Sequence, residues 1–132
     1  GQTMQIHQSA EDYLETILML SQRMGKVRSI DVVNELGFTK ASVSIAMKKL
    51  RENGYIAVDG EGNLTLLEPG LEIAQRIYSR HQLLTHFFVQ LGVDEQTAAE
   101  DACKAEHILS EQTLEKIRES ALRNDVAHPQ EK

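Results

Sequence analysis

The sequence predicts a mainly α protein: an N-terminal winged helix-turn-helix over residues 1–70, followed by a second helical domain over residues 71–132. Three observations predict it. With only two prolines and 5% aromatic residues in 132, long stretches stay free of helix breakers. Within those stretches apolar residues recur at three- and four-residue spacing, the period of a helix with one buried face. One pair of short β-prone runs flanks Asp59-Gly60-Glu61-Gly62, directly after two short helical stretches joined through Gly37, which is how a wing follows a helix-turn-helix.

Taken in order, Ser9 followed by Asp12 forms an [ST]-x-x-[DE] start, and Tyr13, Leu14, Ile17, Leu18 and Leu20 continue it at helical spacing to about Met24. Gly25 ends that helix. Ser29 is the expected cap of a short helix to Leu36, with Ile30, Val33 and Leu36 on its apolar face. Thr39 caps the next, Lys40 to Asn53, whose buried stripe is Val43, Ala46, Met47 and Leu50, and Gly54 stops it. Residues 55–58 and 63–67 form the hairpin. Pro69 suits the first turn of a helix to Leu91. Two more helices follow, Asp94 to His107 and Ser110 to Arg123, each with acid in its first turn. The polar tail from Asn124, with Pro129, is expected to fray.

A formal charge of -6 taken as an average speaks against nucleic acid, because phosphate binding draws on Lys and Arg. The charge is segregated, however. Arg23 to Tyr55 holds seven basic and three acidic side chains, net +4, which leaves -10 for the remainder. A basic reader is thus joined to an acidic partner. The lone Cys103 forms no internal disulfide, and neither a secretory segment nor an apolar run of membrane-spanning length is apparent. A reducing, cytoplasmic setting is the expectation.

On the second helix of the motif, Lys40, Ala41, Ser42, Ser44, Ile45 and Lys48 face away from the buried stripe. Small side chains let a helix approach base edges, Ser and Lys donate hydrogen bonds, and Ala or Ile packs on a thymine methyl. Thr39, Lys49 and Arg51 suit phosphates, and Arg28 adds charge beside the motif. Double-stranded DNA is the expected partner.

The acidic half carries a different chemistry. Cys103, Glu106 and His107 stand at i, i+3 and i+4, so on a helix all three project from one face. Thiolate, carboxylate and imidazole together are a transition-metal ligand set. Asp12 and Glu15 share a face of the first helix, and His81 lies on the long helix between, giving six candidate ligands on three helices. His7 and His86 are further imidazoles.

With these residues in view, the chain resembles the diphtheria-toxin-repressor family of metal-dependent transcriptional regulators, and more closely its short manganese-transport-regulator branch. The resemblance runs from about Ser9 to Ser120. It rests on Ala10-Glu11-Asp12-Tyr13-Leu14-Glu15, the winged helix, Arg80-His81-Gln82-Leu83-Leu84, Gly92-Val93-Asp94, and Cys103 with Glu106-His107-Ile108-Leu109-Ser110. It implies that Asp12, Glu15, His81, Cys103, Glu106 and His107 occupy the family's metal-ligand positions. It also implies a homodimer built on the helices after His81, binding an operator and repressing metal-uptake genes. Two departures are visible. Cys103 stands where the short branch has a glutamate, while Asp12 stands where the long, iron-responsive branch usually has methionine. The chain is a hybrid in this respect, and its thiolate favours Fe²⁺, Co²⁺, Zn²⁺ or Ni²⁺ relative to an all-oxygen-and-imidazole set. Fe²⁺ and Mn²⁺ lead the expected metals. Thr85 and Ala99 stand where the long branch has its other second-site ligands, and a protein without that branch's SH3-like third domain is the expectation.

These residues point to a switch, not an enzyme: the ligands are spread over three helices without an obvious nucleophile or substrate cleft. In the metal-free dimer the carboxylates repel one another, and a divalent cation ties the first helix to the dimerising half. The alternative from the same residues is a winged-helix regulator that senses oxidation of Cys103 without metal.

Overall fold

The computed structural model describes residues 8–127. Its elements are α1 (Gln8–Met24), β1 (Val27–Arg28), α2 (Ser29–Leu36), α3 (Lys40–Glu52), β2 (Ile56–Val58), β3 (Asn63–Leu66), α4 (Glu68–Gln90), α5 (Glu95–Ala105) and α6 (Glu111–Ala127). They form two compact units, with the division between Arg76 and Ile77, inside α4.

In the first unit the core is built by the expected stripes. Tyr13, Leu14, Ile17 and Leu18 of α1 are buried with Val43, Met47 and Leu50 of α3 and with Ile56 and Leu64 of the wing. Each such side chain contributes roughly 1.5–3 kcal/mol by leaving water, whereas an isolated helix as short as α2 or α3 is marginal. Tertiary burial therefore holds these helices. The turn between them is set by Gly37, whose φ of 71° and N–H bond to the Val33 carbonyl at 2.8 Å close α2. Beside it, Phe38 meets Tyr13 edge to face, ring centroids 5.9 Å apart.

Three local expectations are corrected. A third strand, β1, pairs antiparallel with β3 (Val27 opposite Leu64, Arg28 opposite Asn63), so the sheet order is β1-β3-β2. Because Arg28 is held extended in that strand, Ser29 becomes the first residue of α2 and Arg28 takes the cap position. The Asp31 carboxylate then accepts the Arg28 N–H at 2.9 Å. The inward face of α2 is also rotated: Val32 is fully buried and Ile30 is exposed.

The first turn of α4 approaches the wing unusually closely. Gly70 is buried, and a Cβ placed on it would lie 2.2 Å from the Tyr55 carbonyl oxygen. That carbonyl also accepts from the Leu67 N–H at 3.0 Å, while the Tyr55 N–H donates to the Leu50 carbonyl at 2.9 Å. Tyr55 thereby ties the end of α3 to the start of α4.

The second unit packs around Leu84, Ala102 and Leu114, with Leu83, Phe88, Ala105, Leu109 and Ile117 against them. Two side-chain caps fix its helix starts. Asp94 accepts from the backbone and hydroxyl of Thr97 at 2.9 and 2.8 Å, and Ser110 accepts the Thr113 N–H at 3.1 Å. Those bonds to its charged form hold the Asp94 carboxyl below its ordinary pKa of 3.8, the Thr97 backbone bond contributing most. α6 continues through 124–127, where fraying was expected, since no Gly or Pro interrupts it before Pro129. His7 and residues 128–132 lie outside the described residues.

Candidate DNA-reading surface and metal centre

The reader is built from the start of α3. Thr39 caps it: its hydroxyl oxygen accepts the Ser42 N–H at 3.1 Å and its O–H donates to the Ser42 hydroxyl oxygen at 2.9 Å. The Thr39 hydroxyl expected at a phosphate thus has a second task, holding the helix start. Beyond it Lys40, Ala41, Ser42, Ser44, Ile45, Lys48, Lys49 and Arg51 are all exposed, Ile45 to 58%. An aliphatic side chain that bare, among serines and lysines and opposite the buried Val43, Met47 and Leu50, is suited to thymine methyls.

Beside the wing, β1 adds one positive charge. Arg28 is exposed on β1, and its guanidinium lies against Gly62: a Cβ at Gly62 would stand 3.3 Å from Nη2 and 3.4 Å from Nε. Gly62, with φ of 86°, therefore serves both the turn and the placement of Arg28. Sequence patterning marks Gly62 only as a turn residue. At the tip, the Asp59 carboxylate accepts from the Glu61 and Asn63 N–H groups, each at 2.9 Å, and from the Asn63 side chain at 3.0 Å. These bonds, the Asn63 side chain foremost, hold its carboxyl below the ordinary range.

The candidate ligands fall into two sets, one in each unit. In the first, Asp12 and Glu15 sit one turn apart on α1, their carboxylate oxygens within 4.8 Å of one another, and Glu15 is buried to 5% exposure. Burial chiefly, and then the neighbouring Asp12 charge, raises the Tyr13 pKa. A negative field is thus built into this part of α1.

In the second unit Glu106 is fully buried. Its Oε2 lies 3.1 Å from His81 Nδ1, and its Oε1 lies 3.5 Å from Nε2 of His107, whose side chain is 1% exposed. Among the described residues Oε1 is a buried oxygen without a hydrogen bond. A buried carboxylate flanked by imidazoles and left with an unsatisfied oxygen is costly unless a cation joins it. With Nδ1 at Glu106, Nε2 is the nitrogen of His81 that a metal could take. The donor set fits a divalent transition ion.

The spacing argument for Cys103 is corrected in one respect. The helix expected through His107 ends at Ala105, with Glu106 as its C-cap and His107 in the following turn. Cys103 is exposed on the last turn of α5, and Glu106 follows it with a backbone that stays α-helical, its N–H bonded to the Ala102 carbonyl at 2.9 Å. The donors of Glu106 and His107 lie within 4.8 Å of each other, and Cys103 is not among that close group. His86 is half-buried on α4. Arg80, notable in the sequence only as the neighbour of His81, grips the same turn: its guanidinium donates to the Glu106 backbone carbonyl at 3.1 Å and to the Glu111 carboxylate. No helix among the described residues is long and apolar enough to cross a membrane.

Two family models cover most of the chain. The iron dependent repressor N-terminal DNA binding domain matches residues 5–64, and the iron dependent repressor metal binding and dimerisation domain matches residues 67–130. An uncharacterized HTH-type transcriptional regulator of Methanocaldococcus jannaschii is 37% identical over 113 residues, 84% of this chain and 90% of that one. The HTH-type transcriptional regulator MntR of Bacillus subtilis is 34% identical over 109 residues, 83% of this chain and 77% of that one. Among solved structures, a manganese-dependent transcriptional repressor in complex with manganese is 27% identical with a TM-score of 0.78, covering 85% of this chain and 52% of that one. The chain thus spans about half the length of that solved relative. A metal binding and dimerisation domain is the model matched over residues 67–130, and these matches lend no support to a metal-free thiol sensor.

Proposed function

The chain belongs to the iron-dependent repressor family, and from that premise we propose that it is a cytoplasmic, homodimeric repressor of metal-uptake genes, without enzymatic activity, switched on by Fe²⁺ or Mn²⁺. Residues 1–70 read the operator and residues 71–132 bind metal and dimerise. The observation that carries this reading is Glu106: fully buried, set between His81 and His107, with one oxygen lacking a hydrogen bond. A cation supplies the charge that such a carboxylate needs.

Asp12 and Glu15 from α1, with His81, Cys103, Glu106 and His107, are the residues we assign to hold the ion. Bound there, the ion supplies positive charge and a fixed coordination geometry. The chain's own part is to bring carboxylates that otherwise repel one another into one site, and so to fix α1 against the dimerising half. The exposed face of α3 and Arg28 then meet operator half-sites in register. Cys103 makes the set softer than one of oxygen and imidazole alone, so Zn²⁺, Co²⁺ and Ni²⁺ compete with Mn²⁺. By linkage, metal and operator strengthen each other's binding by the same factor. Turning a mostly silent population into a mostly bound one takes about 5 kcal/mol of differential affinity, a scale that several ligand bonds supply.

The test uses an operator duplex selected from a random-sequence pool with metal-loaded protein. The parent binds it with metal and loses it on chelation under reducing conditions. His107→Ala and Cys103→Ala are expected to keep the fold and lose metal-stimulated binding. Undiminished metal-stimulated binding by either variant removes that residue from the ligand set.

A further inference from the structure

We propose that Arg80 is a positioning residue for the metal centre, one that acts through the backbone of Glu106 and is not itself a ligand. The inference rests on the metal-site reading above.

Adjacent residues of α4 hold Glu106 in two different ways. His81 Nδ1 meets its carboxylate at 3.1 Å, and Arg80 Nη1 donates to its main-chain carbonyl at 3.1 Å. The other arm of the guanidinium pairs with Glu111, in the first turn of α6. Glu106 is the C-cap of α5, where the last carbonyls of a helix have no partner within it. Arg80 fills that position from outside the helix. The planar fork has donors at fixed angles, so engaging Glu106 with one nitrogen and Glu111 with another fixes both ends of the turn that carries Glu106 and His107.

The burial pattern supports a positioning role over a surface ion pair. The Arg80 side chain is 13% exposed, whereas Glu111 is 78% exposed. Exposed pairs contribute little; a mostly buried guanidinium bonded to a backbone carbonyl contributes more, because leaving that carbonyl unsatisfied is costly. Without Arg80 the Glu106 carbonyl and Glu111 lose their shared tie to α4, and the carboxylate and imidazole need not converge before an ion arrives. Outer groups that orient metal ligands typically alter metal affinity by about 10–100-fold.

The experiment titrates Co²⁺ anaerobically into the full-length protein, reading affinity by calorimetry and coordination by the visible spectrum of the bound ion. Arg80→Ala is expected to bind at least about tenfold more weakly, with an altered spectrum. Arg80→Lys keeps a donor and restores part of the affinity. Glu111→Gln keeps the carbonyl bond and costs less than Arg80→Ala. Should Arg80→Ala not fold, the latter two carry the test: parental affinity and spectrum in both overturn the proposal. A folded Arg80→Ala with parental affinity and spectrum does the same. His107→Ala is the control: if it too binds Co²⁺ as the parent does, the metal-site reading fails, and if it alone loses the metal, only the role of Arg80 does.

Discussion

Replacing Gly70 with alanine separates two effects of opposite sign. Alanine is the better helix former by about 1 kcal/mol, so a helix considered alone is stabilised. The added Cβ, however, would lie 2.2 Å from the Tyr55 carbonyl oxygen and 3.0 Å from its carbon. Contacts below 3.0 Å require movement, and here the obstacle is main chain that already holds two hydrogen bonds, to Leu67 and Leu50. Either α4 withdraws by about 1 Å or Tyr55 does, and both disturb packing. Overpacking of this kind costs about 1–3 kcal/mol, and more where the backbone resists. Because the obstacle is main chain, the upper part of that range, about 2–3 kcal/mol, applies; less the propensity gain of about 1 kcal/mol, a net destabilisation of about 1–2 kcal/mol is expected, a fall in Tm of roughly 4–8 °C for a chain of this size. Thermal unfolding followed by circular dichroism decides it, with Ser79→Ala at an exposed position of the same helix as the reference for propensity alone. If Gly70→Ala melts at or above the parent temperature, the close approach of α4 to the wing is wrong. A fall in Tm accompanied by weaker operator binding identifies Tyr55 as the part that moved.

Two further outcomes are expected. Lys49→Ala should weaken DNA binding and make the plot of log affinity against log salt shallower by about 0.9, the value for one phosphate contact, while Co²⁺ affinity is unchanged; fluorescence anisotropy across a salt series measures it, and an unaltered slope places the contact elsewhere. Asp94→Ala should lower Tm at neutral pH. Because the folded Asp94 carboxyl is held below its ordinary 3.8 by its bonds to Thr97, its stabilisation is present above that pH and is lost as pH falls through the lower folded value. Melts of parent and variant should therefore converge in strong acid, and a constant gap would show that the cap does not depend on the charge.

The buried and exposed faces of α3 were largely legible in the sequence, because a cap, a Gly stop and a 3.6-residue stripe are local signals; Ala46, expected in the buried stripe, is only half-buried. Val43, Met47 and Leu50 are buried, and Ser44, Ile45 and Lys48 are exposed, as the periodicity predicts. Ile30 was misplaced because a helix of 8 residues offers only about two turns of periodicity, and packing buries Val32 instead; β1 was missed as well. A two-residue strand has no pattern of its own; it exists through its partner Leu64. The candidate ligands were legible as residue types at helical spacing, but the end of α5 at Ala105 was not, since no Gly or Pro marks it. The grip of Arg80 on the Glu106 carbonyl leaves no sequence signal, because it is a tertiary bond to main chain.

The pairing of Val27 with Leu64 has a bearing on how the reader opens and closes. Both α2 and α3 lie in the chain segment between these two partners, so the pairing closes a loop around the whole helix-turn-helix. Loss of β1 from the sheet releases the start of α2 and exposes the fully buried Val27 in one event. Amide hydrogens of α2, α3 and the wing should then exchange together as one cooperative unit, with a common opening free energy. A reader that opens as one piece keeps its recognition helix and its wing in fixed relation whenever it is folded at all.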